Sequence, residues 1–299
     1  MEKIKIKSKD GYELNVHVFE VQNPVGYIQI IHGMEEHQER YERLVFDLNK
    51  EGYTVITSNM RGHGEDANVL GYFAKKDGYL YLLEDQKIIT KYIMERFKTE
   101  KIIIIAHSMG TIITRNLLQT ESKNYEKVIL IGYPCPQKLV GFGIILTNII
   151  KNIKGDKYYS KKIEKMSVGQ FNKKIKNPKT SVDWISVNEE NVKMYLSDKY
   201  CGHGFTVSAF NDLFHLVKNM SKYKLYKNVN EKLKLLLLRG DSDPCTGYDK
   251  GSNDSINILK KAGFKDIEMK KYENMRHEIL NEKEFKKVHS DIIEFLKNS

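Results

Sequence analysis

The stretch Lys101-Ile102-Ile103-Ile104-Ile105-Ala106-His107-Ser108-Met109-Gly110-Thr111-Ile112-Ile113 joins two kinds of pattern. Its first half is an unbroken β-branched run, of the sort that forms a strand buried on both faces. Its second half opens a segment in which Ile112, Ile113, Leu117 and Leu118 recur at helical spacing. Ser108 stands on the turn between them, with the small residues Ala106 and Gly110 where strand and helix must approach closely. A serine at the apex of a strand–turn–helix is lifted into the open, which is what a nucleophilic hydroxyl requires. The usual spacing is G-x-S-x-G; here alanine holds the first glycine position, and Thr111 follows Gly110 where a further glycine is common. The competing reading is a serine that merely caps the next helix.

Working outward, the same alternation recurs. Met1 to Lys7 alternates apolar and charged residues, Ser8-Lys9-Asp10-Gly11 is a turn, and Tyr12, Leu14, Val16 and Val18 continue the alternation, which predicts a hairpin. Apolar runs at 27–31, 53–57, 101–106, 128–131 and 233–238 predict buried parallel strands. Helical spacing separates them, as at Tyr41, Leu44, Val45 and Leu48, or Leu82, Ile89 and Ile93. Farther on, 252–261 reads as a helix, 266–272 as a last strand and 282–297 as a closing amphipathic helix. The fold class is therefore α/β, a mostly parallel sheet with helices on both faces.

The alternation fails between Tyr133 and about Val229, where lysine, tyrosine and asparagine accumulate and helical stretches appear at 187–195 and 208–220. The expected organisation is a core of residues 1–133 and 230–299 with a helical cap inserted at 134–229. Such a cap would lie over the carboxyl edge of the sheet, where open α/β sheets bind ligands.

Composition narrows the class. A chain of 299 residues with 40% hydrophobic content can bury a full core. The amino terminus has no apolar core of the signal-peptide kind, and the apolar stretch 139–150 is shorter than the ~20 residues that span a bilayer. The three cysteines, Cys135, Cys201 and Cys245, are far apart and form no CxxC pair, which argues against a disulfide framework or zinc site and fits a reducing cytoplasm. The net charge of +10 comes from lysines spread along the whole chain, without a basic stripe interleaved with aromatics, so no nucleic-acid partner is expected. Lysines crowd only at 151–179, a segment that could face an anionic surface.

A serine hydroxyl needs a base, and the base an orienting acid. In sheets built this way the partners follow in the order serine, acid, histidine. After the last buried strand only His277 and His289 remain; His289 falls beside the stripe of the closing helix, whereas His277 lies in the polar loop Glu273-Asn274-Met275-Arg276-His277-Glu278. His277 is the expected base. Asp241 and Asp243 both follow the strand 233–238; Asp243, just before Pro244, is favoured, with Asp241 holding the turn. An oxyanion hole needs two backbone N–H donors. Met109, after the serine, is one, and Met34, in the His32-Gly33-Met34 loop after the strand 27–31, is the other.

Together with Ile31-His32-Gly33-Met34-Glu35-Glu36-His37, Arg40-Tyr41 and Asn59-Met60-Arg61-Gly62-His63-Gly64-Glu65, these stretches resemble the monoacylglycerol lipase and lysophospholipase group of α/β hydrolases, also classed with serine aminopeptidase-like hydrolases. The resemblance covers about 10–135 and 230 to the end. It implies the α/β-hydrolase fold, and hydrolysis of carboxylic esters of glycerol or glycerophospholipid through an acyl-enzyme on Ser108, without metal or organic cofactor. It also implies that Arg61 and His63 shape a loop beside the site. In the cap, Asp183-Trp184-Ile185-Ser186 is similar to a segment of related bacterial lysophospholipases.

The expected partner is a small lipid or ester substrate, with transient membrane contact through the cap. The run 139–146 would either line an acyl tunnel, touch a membrane, or form the cap's own core. Two other functions stay open: an enzyme for small soluble esters or amides, and a non-catalytic binding protein on the same fold.

Overall fold

The computed structural model describes residues 1–298. Eight strands form one sheet: β1 (Glu2–Lys7), β2 (Glu13–Phe19), β3 (Gly26–Ile31), β4 (Tyr53–Ser58), β5 (Ile102–His107), β6 (Tyr125–Ile131), β7 (Lys234–Gly240) and β8 (Asp266–Tyr272). The helices are α1 (Glu42–Lys50), α2 (Gly78–Phe97), α3 (Met109–Glu121), α4 (Val140–Lys154), α5 (Lys161–Met166), α6 (Gly169–Asn172), α7 (Glu189–Ser197), α8 (Val207–Met220), α9 (Tyr248–Ala262) and α10 (Phe285–Lys297).

The strand order is β1-β2-β4-β3-β5-β6-β7-β8. The amino-terminal hairpin is antiparallel, β2 meets β4 antiparallel, and every other pairing is parallel. The apolar runs become strands because each buries both faces: Ile102, Ile104 and Ala106 join the core on one side, while Ile103 and Ile105 join the core on the other. Val128 and Leu130 against Ile129 and Ile131, and Leu235 and Leu237 against Leu236 and Leu238, divide the same way. The edge strand β8 needs only one apolar face and carries Lys270 and Lys271, which discourage pairing with another chain.

The chain order reverses around β3, so β3 and β5 lie side by side with their loops diverging, the crevice where such sheets bind ligands. Register aligns the carboxyl ends: Ile31 pairs with Ala106, His107 with Ile131, Ile131 with Leu238, and Gly240 with Tyr272. The loops carrying Met34, Ser108, Asp243 and His277 therefore leave the sheet along one rim.

The segment 134–229 divides in its packing. Helix α8, capped by Thr206, sends Phe210, Leu216 and Met220 into the main core, and Asn116 of α3 bonds the Leu216 carbonyl at 3.0 Å. Ile185, Val192, Tyr195 and Cys201 form a separate small cluster. Helix α4 turns Ile144 and Thr147 inward, with Asn211 of α8 bonding the Thr147 hydroxyl at 2.8 Å. The other side of α4 faces outward: Phe142 and Ile145 are each 59% exposed and Ile153 is 72% exposed. The apolar run thus forms only part of an internal core, because its period places half of it away from α8. Among the described residues, no helix is long and apolar enough to cross a membrane.

Candidate active site

Ser108 follows β5 directly and adopts φ 48°, ψ −117°, a strained turn held by its N–H donating to the Ile131 carbonyl at 2.9 Å. Gly110 is required next to it: a Cβ there would lie 2.2 Å from the Ile31 carbonyl oxygen. Ala106, by contrast, is an ordinary strand residue buried between Ile31 and Leu130, with φ negative, so its methyl group is accommodated. The Ser108 side chain makes no cap bond to α3. Its hydroxyl oxygen instead lies 2.7 Å from His277 Nε2.

His277 Nδ1 lies 2.9 Å from Asp243 Oδ2, and Asp243 is fully buried, its other oxygen accepting from the Cys245 N–H at 2.8 Å. Asp241 turns elsewhere and accepts from the Ser242 hydroxyl. His289 pairs instead with Asp47 of α1 at 2.7 Å. Ser108, His277 and Asp243 thus form one chain of hydrogen bonds, able to move a proton off the serine while the carboxylate fixes the imidazole tautomer.

Met109 follows the serine as the first residue of α3, and Met34 follows Gly33 in the loop after β3. Gly33 backs onto the serine so closely that a Cβ would fall 3.0 Å from Ser108 Cβ. The loop is stiffened from below: the Met60 N–H donates to His32 Nε2 at 3.0 Å, and His32 Nδ1 donates to the Gly33 carbonyl at 2.8 Å. Burial holds the His32 pKa down at about 4, so the ring is neutral and acts as donor and acceptor at once. Arg61 anchors the loop after β4, which carries Met60, through Asp85 at 2.7 Å and Asp10 at 2.9 Å, and His63 of that loop packs on the His32 ring. Among the described residues, neither is hydrogen-bonded to Ser108, His277 or Asp243.

A buried polar network lies behind the site, and sequence reasoning missed it. Glu36 Oε1 accepts from the Gly33 N–H at 2.5 Å, the Tyr41 hydroxyl at 2.8 Å and His107 Nδ1 at 2.9 Å. Arg40 bridges its other oxygen, at 3.0 Å, to a bidentate pair with Glu278 at 2.7 Å. These partners stand one residue from Ser108, from His277 and from Met34. His107 and Arg40 hold the Glu36 carboxyl well below the usual range despite burial, and Glu36 in turn raises His107. The signal available was the E-H-x-x-R-Y spelling, which says nothing of its partners.

His37, Asp198 and Cys201 present donors within 4.8 Å of one another. Both ring nitrogens of His37 are engaged, by Glu39 at 2.6 Å and Asp198 at 2.7 Å, so the cluster is an ion-paired tie between loop and insert.

Glu35 is the costly residue of the loop. It adopts φ 54°, its Oε1 is buried with no hydrogen-bond partner, and its backbone oxygen accepts from the Gly202 N–H and the Tyr195 hydroxyl, both at 3.1 Å. Burial, with Glu164 nearby, pushes its pKa up to about 7 from 4.5. The folded state therefore holds a proton that the unfolded chain releases, and stability falls as pH rises from about 4.5 to 7, by about 3 kcal/mol in total. Glu35→Gln should flatten that loss when unfolding free energies are compared at about pH 5 and about pH 8; identical pH dependence in wild type and variant would contradict it.

The family model described as serine aminopeptidase, S33, matches residues 22–284. A monoacylglycerol lipase of Mycolicibacterium smegmatis is 23% identical over 278 residues, covering 92% of this chain and 89% of its own. A probable lysophospholipase L2 of Haemophilus influenzae is 23% identical over 186 residues, 58% of each chain. Among solved structures, a thermostable carboxyl esterase from Bacillus coagulans in complex with glycerol superposes with a TM-score of 0.91 at 22% identity, covering 99% of this chain and 97% of that one, a likeness of fold.

Proposed function

The chain belongs to the hydrolase family described as serine aminopeptidase, S33, and has the α/β-hydrolase fold; it is an ester hydrolase similar to monoacylglycerol lipases, and we propose that it cleaves monoacylglycerols or lysophospholipids through an acyl-enzyme on Ser108. The observation that carries the reading is the Ser108–His277–Asp243 chain of hydrogen bonds, at 2.7 and 2.9 Å.

In this reading His277 Nε2 takes the Ser108 proton as the oxygen attacks the ester carbonyl. The N–H groups of Met34 and Met109 receive the oxyanion. His277 then gives its proton to the departing alcohol, and water, deprotonated by the same nitrogen, releases the fatty acid. Residues 134–229 act as the cap. The outward side of α4, with Lys151 and Lys154 at its end, meets the membrane surface where such substrates reside, and the enzyme works in the cytoplasm, consistent with free thiols at all three cysteines. No metal or organic cofactor enters any step.

The test is a series of p-nitrophenyl esters from acetate to palmitate. Each methylene that finds apolar surface contributes about 0.8 kcal/mol, so four of them should raise kcat/KM on the order of a hundredfold. A flat profile would retain the esterase and discard the lipid substrate, and preferential cleavage of aminoacyl p-nitroanilides would replace the ester by an amide.

A further inference from the structure

The chain's only tryptophan, Trp184, lies against the imidazole of His277, with ring centroids 4.8 Å apart and planes at 41°. The His107 ring also lies against the imidazole, at 5.0 Å. The proposed base therefore touches both a ring at the end of β5 and a ring from the inserted segment. Trp184 is backed in turn by Phe171 at 4.9 Å.

Trp184 is not on a loose flap. Arg276, beside the base, donates to the carbonyls of Asp183 at 2.6 Å and Ser186 at 3.1 Å. The Glu278 N–H, on the base's other side, donates to the Ile185 carbonyl at 2.7 Å. Glu282 accepts from the Ser186 hydroxyl at 2.8 Å and the Val187 N–H at 3.0 Å. The segment holding Trp184 and the loop holding His277 are thus one hydrogen-bonded unit, and the indole stays on the imidazole whatever the rest of the insert does.

Resting on the reading of Ser108 and His277 above, we propose that Trp184 is the residue that limits the size of the alcohol half of the substrate. The chemistry fixes which half it meets. The carbonyl oxygen points at the Met34 and Met109 amides, whereas the leaving oxygen must come within hydrogen-bond reach of His277 Nε2 to collect its proton. The alcohol is the part drawn to the imidazole, and there Trp184, backed by Phe171, is the wall it meets. A slender, unbranched alcohol fits beside that wall, and a bulky one meets the indole.

The test compares Trp184→Ala and Trp184→Phe with wild type on two esters sharing one acyl chain, methyl and 2-naphthyl. The ratio of kcat/KM, naphthyl over methyl, should rise about tenfold or more in Trp184→Ala and by less in Trp184→Phe. Both esters falling together at constant ratio would make Trp184 a structural support and overturn the proposal. Failure of wild type to cleave either ester would overturn the parent reading and this one with it. A measurement free of folding effects uses wild type alone: phosphonylation by a fluorophosphonate bearing a bulky alkoxy group should change the emission of the single tryptophan, and unchanged emission on a fully labelled protein would reject contact with the substrate's alcohol side.

Discussion

Ser108→Ala should reduce ester hydrolysis by on the order of four to six decades in kcat, leaving only what binding and the amide donors supply. The size of the effect follows from the geometry. The Ser108 oxygen is 2.7 Å from His277, whose other ring nitrogen is tied to the buried Asp243 carboxylate, so a neighbouring hydroxyl would have to reach the same imidazole to inherit the role. Thr111, the nearest candidate in sequence, has its hydroxyl committed to the Ser108 carbonyl at 2.7 Å. The variant should also lose labelling by a fluorophosphonate while melting at the wild-type temperature. Labelling equal to wild type would remove Ser108 from the chemistry, and an inactive wild type with an intact hydrogen-bond chain would favour a binding protein on the same fold.

Glu36→Gln is expected to be the most damaging change that touches no reacting atom. The carboxylate receives three hydrogen bonds on one oxygen and Arg40 on the other. A carboxamide keeps the shape, but its NH₂ must face a donor, and it leaves His107 and Arg40 with less counter-charge in a dry setting. Breaking a buried pair of this kind costs about 3–5 kcal/mol. Because Gly33 precedes Met34 and His107 precedes Ser108, kcat should fall about tenfold to a hundredfold with KM nearly constant, in chain-length-independent fashion. The pH dependence supplies a second readout. His107 is raised above its ordinary value of 6.5 by Glu36, so its part of the stabilisation is complete below that value and fades as pH climbs through the folded-state value. That alkaline loss should be absent from Glu36→Gln. Equal stability and equal kcat in the two proteins would show the network to be ornamental.

Much of the fold is visible in the sequence because burial on two faces makes the central strands predominantly apolar, with polar residues such as Gln29 and Thr57 admitted where a buried partner meets them. Ile102 to Ile105 can be nothing else so near a helical repeat, and β3, β4, β6 and β7 follow the same rule. Chain order likewise narrows the partners of Ser108 to a handful, and position before Pro244 separates Asp243 from Asp241. The buried charges escape such reading. Periodicity assigns Glu36 and Arg40 to the surface, where isolated charges belong; only the pairing of Arg40 with Glu278, 238 residues away, allows them inside. Trp184 is equally silent, since nothing local announces that its segment docks on residues 276–282. In α4 the composition is plain but the direction of the stripe is not, because α8 decides which side is covered.

The alignment of strand ends along one rim gives the molecule a front and a back for anyone who would re-engineer it. A residue added within β3, β5, β6 or β7 would push its loop outward by about 3.3 Å and reverse the faces of all that follows, dispersing groups that meet within hydrogen-bond reach. The opposite rim carries no such obligation. The turn at Ser122–Asn124, ahead of β6, and the stretch 228–232, ahead of β7, lie at the amino ends of their strands. New termini, affinity tags or a tethered second domain belong there, where extra chain can be absorbed without the rim facing the substrate taking notice.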